Sequence, residues 1–432
     1  MHLALRCFAA ILVSSCSVAS LVDCRAIDEF EQPPIEYSKA EPNNAVSQLA
    51  ERLAENGEVF PYDPQLGYLP ALLKALDIPM NSQMLVFSRT SMQRNRISPR
   101  TPRALYFNDE VYIGYCHNGD IIELAVVDPK LGTVFYTLDQ ENQHTSLPTR
   151  ENQTCLQCHS ATQVDQIPGL LARSVFTGPS GIPILSEGSH RVDHTTPLKD
   201  RWGGWYVTGT HGEQPHLGNL IVRDTKAQRP FDNAEGHNVE DLSDRFKTAD
   251  YLTPHSDIVT LMVFEHQIAV HNAMTKANFE TRRALHYEAG INEALGKPAD
   301  NRLESTTRRI KNVGDKLVEA LLFSDEPTLT APIVGSSEYT AEFSLRGPRD
   351  AQGRSLRDFD LQTRLFKYPC SYLVYTPTFD TLPAEVRSYV AQKLREILLA
   401  TNTQDDFAHL SLDDRRAIFE ILSETKPELW EN

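Results

Sequence analysis

The chain has 432 residues, of which 41% are hydrophobic, 8% aromatic and 23% charged. These are the values of an ordinary globular protein, and they exclude the collagen-like, disordered and disulfide-rich classes. The formal net charge of −16, from 42 Lys and Arg against 58 Asp and Glu, argues against a protein that binds nucleic acid or an anionic membrane surface.

Residues 1–26 are predicted to be an export signal. A short basic stretch that ends at Arg6 is followed by an apolar run over residues 7–13, which is too short to span a bilayer. Residues 13–16 (VSSC) also resemble a bacterial lipobox, in which Cys16 would be a lipid anchor. The alternative is an apolar N-terminal helix of the folded domain. Export predicts a location in the periplasm or on the outer side of a bacterial membrane.

The next segments predict a linker followed by helices and strands. Residues 27–44 are rich in Pro, Glu and Asn and lack periodicity, which is typical of a flexible linker. Apolar residues then recur at helical spacing over residues 45–54 and again over 69–76. Between residues 84 and 139, β-rich runs are separated by turn signals, which predicts an antiparallel meander.

Asn118-Gly119 is the strongest turn signal in this region. Asn-Gly between two β-rich runs is typical of a type I′ hairpin, whose two central residues need positive φ. A two-residue turn here aligns apolar residues on one face and sends Cys116 to the other. The predicted pairs are His117 with Asp120, Tyr115 with Ile122, Ile113 with Leu124, and Val111 with Val126.

The second half of the chain is predicted to be mainly helical. Residues 140–168 are polar and loop-like, and 170–224 contain short strands broken by Gly and Pro. The elements predicted after that are helices over 257–288, 301–323, 382–400 and 411–425, with short strands over 339–345 and 372–375. The fold class is therefore α+β. A mixed α/β region over 45–250 contains the antiparallel meander, and a mainly helical region over 251–432 packs on it.

Cys155, Cys158 and His159 form the motif with the most specific chemistry. Residues 155–159 read Cys-Leu-Gln-Cys-His, which is C-x-x-C-H, the signature of c-type haem attachment. Two thiols at this spacing reach the two vinyl groups of one porphyrin, and the adjacent histidine lies under the iron as an axial ligand. The polar loop of the front half is therefore expected to carry a haem.

Three other uses of the motif remain open from the sequence. Cys155 and Cys158 would form a structural disulfide, which does not need His159. A thioredoxin-like redox pair requires the motif at the start of a helix after a buried strand, whereas a polar loop precedes it here. A zinc site needs two further Cys or His ligands at close spacing, and the sequence has none nearby.

At these residues the chain resembles a c-type cytochrome. The order of signal, short strands and a single C-x-x-C-H is similar to bacterial exported proteins with an embedded monohaem cytochrome c segment. The resemblance implies one covalently attached haem c, bound by Cys155 and Cys158, with His159 as a ligand of the iron. It also implies electron transfer to or from a periplasmic or membrane-bound redox protein. The acidic net charge predicts no nucleic-acid partner.

The second axial ligand of the iron decides between two functions. A strong ligand favours electron transfer, whereas an open position permits chemistry on small molecules. The candidate ligands are His194, His211, His266 and His271, or none of them. The alternative function is a haem c enzyme, peroxidase-like or active in other small-molecule redox chemistry, so whether the protein is an enzyme stays open. Its acid–base residues would come from an apolar helix over 258–274, namely Glu265, His266, Gln267 and His271.

Cys116 and Cys370 have no assigned role in the sequence. Each lies in a strand-like apolar run. Such a position suits a disulfide formed in an oxidising compartment and a buried free thiol equally well.

Overall fold

A computed structural model of the protein describes residues 28–57, 59–141, 147–227, 229–400 and 406–431. The predicted export signal, with Cys16, lies outside the described residues. Within them the strands are β1 (Met84–Val86), β2 (Arg103–Phe107), β3 (Val111–Cys116), β4 (Ile121–Asp128), β5 (Gly132–Asp139), β6 (Thr149–Arg150), β7 (Arg173–Val175), β8 (Ser189–Arg191), β9 (Trp205–Tyr206), β10 (Gly209–Thr210) and β11 (Val334–Gly335). The α-helices are α1 (Ala45–Asn56), α2 (Leu69–Ala75), α3 (Leu156–His159), α4 (Ile258–Ala294), α5 (Glu304–Leu321), α6 (Tyr339–Leu345), α7 (Pro377–Asp380), α8 (Ala384–Leu399) and α9 (Leu412–Thr425).

One sheet dominates the front half of the chain. Its strand order is β6-β5-β4-β3-β2-β1-β9, and each pair of neighbours is antiparallel. Two small antiparallel pairs, β7 with β8 and β10 with β11, lie outside it. Helices α4 to α9 make up most of the back half. The predicted α+β fold, with a front-half meander and a mainly helical back half, is confirmed.

The hairpin of β3 and β4 has the predicted register but a different turn. The ladder contains the pairs Val111–Val126, Ile113–Leu124 and Tyr115–Ile122. It ends there, without the predicted pair of His117 and Asp120, because the Gln93 side chain accepts the backbone N–H groups of Asp120 and Ile121 instead. Asn118 has a φ of +54°, whereas Gly119 lies outside the left-handed region. The turn is therefore not type I′.

The two faces of the sheet pack against different layers. Apolar side chains on one face meet α1, α2 and the segment that precedes α1. The other face meets α4, where Phe107 and Tyr112 both pack against Phe264. Tyr112, Ala125 and Phe135 are register partners on successive strands, so they share this second face. The motif helix α3 lies on it too, because the His159 ring contacts Phe135.

Helix α4 is the longest helix among the described residues, with 37 residues. It begins at Asp257, whose side chain accepts the backbone N–H groups of Val259 and Thr260. Its first half is buried on all sides, polar residues included, because the sheet lies on one side and α5 and α8 lie on another. The predicted helix over 257–288 is present and continues to Ala294.

Residues 28–44 are docked on the body of the protein. Phe30, Ile35 and Tyr37 are buried in the same core as α1. The Tyr37 hydroxyl donates to the Thr133 carbonyl of β5 at 2.9 Å. The prediction of a flexible linker is wrong for this segment, because a few apolar side chains anchor it without any periodic pattern.

Two short segments predicted as strands are helical. Residues 339–345 form α6, in which Tyr339 and Phe343 lie four residues apart and are both buried. Residues 372–375 form a 3-10 turn, begun by Ser371, whose hydroxyl accepts the Leu373 backbone N–H. Aromatic and β-branched residues favour strands in both runs, but helical spacing buries them better here.

One hydrophobic core joins the two halves of the chain. It includes Met84 of β1, Val263 of α4 and Leu429 near the C-terminus. The regions 45–250 and 251–432 therefore share a packed interior. Within the described part of the chain, the structure contains no helix that is both long and apolar enough to cross a membrane.

Candidate functional site

The C-x-x-C-H motif forms a single helical turn. Cys155 precedes α3, and the His159 backbone N–H donates to the Cys155 carbonyl at 3.0 Å. Residues three apart on a helix lie on one face, so the two sulfur atoms are on the same side of the turn. Cys155 is half-buried and Cys158 is exposed, and both are free thiols. The arrangement gives no support to a disulfide between them.

The state of the Cys155 thiol also bears on the alternatives. Burial raises the pKa of Cys155 to about 12, so the thiol keeps its proton at neutral pH. Redox-active and zinc-binding cysteines act as thiolates, in surroundings that lower the pKa. Among the described residues, no group of three or more His, Cys, Asp and Glu side chains is arranged to hold a metal ion. A haem iron needs only its axial ligands from the protein.

The imidazole of His159 is held in one tautomer. Its Nδ1 lies 2.9 Å from the Gly169 carbonyl oxygen. A carbonyl can only accept, so Nδ1 carries the proton and Nε2 keeps its lone pair. Burial lowers the pKa of His159, which keeps the ring neutral. Nε2 makes no hydrogen bond within the described chain, so this ring is ready to bind a metal through Nε2.

The sheet supplies a ring and an ion pair beside His159. The Phe135 ring lies 4.9 Å from the imidazole, centroid to centroid. Arg103 and Glu123 form an ion pair on the same face, and both act electrostatically on His159. The Arg103 guanidinium lies over Gly114, where any side chain would collide with it. Arg103 Nε is buried and has no hydrogen-bond partner in the described residues.

A loop after the motif connects His159 to α4. Gly169 accepts the imidazole proton, and its own N–H donates to the His159 carbonyl at 2.8 Å. The next residue, Leu170, bonds to Asn272 twice. Its N–H donates to Asn272 Oδ1 at 2.9 Å, and its carbonyl accepts from Asn272 Nδ2 at 2.8 Å.

These residues fit a covalently bound haem. Cys155 and Cys158 offer free thiols on one side of a turn, and His159 offers an imidazole lone pair. Arg103 offers an unpaired buried N–H, a costly group that an anionic substituent would relieve. Haem carries vinyl groups, an iron and anionic propionates, which match these three features.

The candidate second ligands lie apart from His159. No hydrogen bond or ring contact joins His194, His211, His266 or His271 to His159 within the part of the chain that the structure describes.

Two of these histidines pack against each other. The rings of His194 and His266 lie 5.0 Å apart, and His266 also stacks on Phe323 at 3.9 Å. His266 Nε2 lies 2.8 Å from the Ser371 hydroxyl. His194 makes no ring hydrogen bond to any described residue.

The rings of the other two histidines, His271 and His211, form hydrogen bonds with other residues. His271 Nδ1 lies 2.9 Å from the Tyr112 hydroxyl. His211 Nε2 accepts the Asn238 backbone N–H at 3.0 Å, and its ring contacts that of His216 at 4.5 Å. The second axial ligand is therefore not identified by contacts in the structure.

The polar residues of α4 proposed for a haem enzyme have protein partners. Glu265 accepts a hydrogen bond from the buried guanidinium of Arg201 at 2.9 Å. Gln267 donates to Tyr112 and accepts from Tyr372. Burial raises the pKa of Glu265 to about 8 despite the nearby cation. Bonds within the chain therefore satisfy much of this group, as expected of core polar residues.

Cys116 and Cys370 are both free and buried. Burial raises the pKa of each thiol to about 12. The sequence left open a disulfide or two buried free thiols, and the structure contains the free thiols.

Sequence patterns did not identify Phe135, Gly169 or Asn272 as parts of this site. Gly169 and Asn272 meet only after the chain has folded, since Leu170 and Asn272 are 102 residues apart. The available signal was weak: Asn272 is one of several polar residues on the mainly apolar helix over 258–274, each of which needs a partner.

Comparisons with known proteins give no match, whether to family models, to curated proteins or to solved structures. The function is therefore argued from the residues of the site.

Proposed function

We propose that the protein is an exported monohaem c-type cytochrome, which transfers electrons through a covalently bound haem. Its partner would be a periplasmic or membrane-bound redox protein. Export rests on the predicted signal over residues 1–26. The haem rests on Cys155, Cys158 and His159.

The observation that carries the proposal is the tautomer of His159. The Gly169 carbonyl accepts a hydrogen bond from Nδ1–H of His159, which leaves the Nε2 lone pair for iron. Histidine ligands of metals generally donate their other ring N–H to a backbone carbonyl or a carboxylate in this way. A disulfide or a thioredoxin-like pair has no need of such a histidine.

The two cysteines would hold the porphyrin. Each thiol would add across a vinyl double bond, sulfur to one carbon and hydrogen to the other, so attachment would consume no oxidant. Bound haem supplies an iron that gains and loses one electron. Cys155 is half-buried and Cys158 is exposed, so the attached group would extend from the interior to the surface. An exposed edge suits electron exchange with another protein.

Electron transfer is favoured over the enzyme alternative by the surroundings of α4. The acid–base residues which that alternative would use include Glu265 and Gln267, and both are bonded to other side chains in the core. A catalytic acid or base must reach its substrate within hydrogen-bond distance.

Carbon monoxide added to the reduced holoprotein tests the choice between electron transfer and an enzyme. We expect no spectral change, and a carbon monoxide complex would favour the enzyme.

The haem itself is tested on protein made in a bacterium with haem-maturation machinery. We expect a pyridine haemochrome spectrum and a denatured mass that exceeds that of the chain by one haem. The paired variant Cys155→Ala/Cys158→Ala should lose the covalent haem, whereas Cys116→Ala, at a buried free thiol, should keep it. A wild-type protein without covalent haem, although folded, would overturn the proposal.

A further inference from the structure

One peptide group lies between His159 and Asn272. Its carbonyl, from Gly169, accepts a hydrogen bond from His159 Nδ1–H, with 2.9 Å between nitrogen and oxygen. Its N–H, from Leu170, donates to Asn272 Oδ1 at 2.9 Å. The peptide bond is planar and its C=O and N–H point in opposite directions. The imidazole and the Asn272 amide are therefore connected in line through a single rigid unit.

Asn272 binds this loop with both ends of its amide. While Oδ1 accepts the Leu170 N–H, Nδ2 donates to the Leu170 carbonyl at 2.8 Å. The Asn272 side chain approaches the loop so closely that position 169, next to Leu170, requires glycine. A Cβ on Gly169 would lie 2.7 Å from Asn272 Oδ1, which is too near for any real contact.

Hydrogen bonds in a chain strengthen one another. A peptide that donates through its N–H has a more negative carbonyl oxygen, which is then a better acceptor. The hydrogen bond from the Leu170 N–H to Asn272 therefore strengthens the hydrogen bond that His159 Nδ1–H donates to the Gly169 carbonyl. A stronger bond at Nδ1 makes the imidazole a more basic ligand, and this favours oxidised iron.

We propose that Asn272 is a positioning residue, which orients the His159 imidazole and lowers the reduction potential of the holoprotein through the Gly169–Leu170 peptide. The inference rests on the proposed haem function. It concerns a residue far from the motif in sequence, on α4, whose side chain touches neither cysteine nor imidazole among the described contacts.

The test compares reduction potentials of holoproteins. Asn272→Leu removes both bonds to Leu170, and Gly169→Ala displaces Asn272 from the loop. We expect both to raise the potential, by up to about a tenfold change in the equilibrium ratio of oxidised to reduced protein, which is about 59 mV for one electron. Asn272→Asp keeps an oxygen acceptor for the Leu170 N–H, and a carboxylate accepts more strongly than an amide, so its potential should not rise above that of wild type.

Asn278→Leu is a matched control. Asn278 is also a buried asparagine of α4 that donates to a backbone carbonyl, but its acceptor is Pro129 in another loop. Its loss should lower stability without moving the potential. If Asn272→Leu and Asn278→Leu have the same potential as wild type, the inference is wrong.

A measurement on the wild-type holoprotein tests the same inference without any variant. In NMR hydrogen exchange, the His159 Nδ1 proton and the Leu170 amide proton should both exchange slowly. Rapid exchange of the Leu170 amide would overturn the inference even if no variant folds. Absence of covalent haem in wild type would instead reject the proposed function, so the two failures are distinguishable.

Discussion

His194 is a buried imidazole whose replacement by Phe tests how burial controls the acid stability of this protein. Its exposed fraction is 4%, and neither ring nitrogen has a hydrogen-bond partner among the described residues. The rings of His266 and Phe323 pack against it at 5.0 and 5.4 Å. The charged groups that act on it are Asp193, Arg201 and Asp325.

The size of the effect follows from the pKa. Burial lowers the pKa of His194 from 6.5 to about 4. Between these values the unfolded chain binds a proton here that the folded protein does not, so stability falls as the pH falls from 6.5 to 4. Each pH unit in this range costs about 1.4 kcal/mol. The residue should therefore cost about 2 kcal/mol between pH 7 and pH 5.

Urea unfolding followed by circular dichroism measures this cost. Over that pH range, His194→Phe should lose about 2 kcal/mol less of its free energy of unfolding than wild type. The exposed His286 replaced by Gln is the control, and it should follow wild type. If His194→Phe is as acid-sensitive as wild type, burial of this imidazole does not determine the pH dependence.

Three further predictions concern the fold, each measured by urea unfolding. The Asn44 side chain caps α1 by accepting the backbone N–H groups of Val46 and Ser47, so Asn44→Ala should cost about 1 kcal/mol, and no change would mean that the cap contributes nothing. Arg201→Met leaves the buried carboxyl of Glu265 without its hydrogen-bond donor and should cost about 2 kcal/mol, part of which Glu265→Leu in the same chain should restore. A single variant as stable as wild type would contradict the burial argument. Tyr37→Phe removes a bond to the sheet, so it should cost about 1 kcal/mol and speed protease cleavage within residues 28–44. Unchanged cleavage would mean that this hydroxyl does not secure the segment.

The sheet was predictable because its signals are local. Asn118-Gly119 and the alternating apolar residues beside it specify which residues of β3 and β4 face each other. The turn geometry was not predictable, since Gln93, far from the turn in sequence, takes the N–H groups that the ladder would have used.

The errors arise where distant packing decides local structure. Tyr339 and Phe343 are strand formers by propensity, yet α6 buries both of them against the core. Phe30 and Tyr37 are scattered apolar residues in a polar stretch of the sequence, and only the folded sheet supplies the surface that buries them. A local sequence pattern cannot reveal the core surface that buries α6 or the sheet surface that buries Phe30 and Tyr37.

The candidate site divides in the same way. Cys155, Cys158 and His159 are recognisable because a cofactor would set their spacing. Gly169 and Asn272, which hold the imidazole in place, are brought to it by tertiary structure. The haem stays a prediction, and its second ligand has no candidate in contact with His159 among the described residues.

The long separation of Asn272 from the loop that it holds has a consequence for how the protein matures. Synthesis of the chain from its N-terminus presents the loop at Leu170 102 residues before the Asn272 side chain that secures it. The proposed attachment residues are thus accessible first, and the imidazole acquires its final hydrogen bonds only when α4 packs onto the sheet. Completion of the site is therefore tied to folding of the helical half.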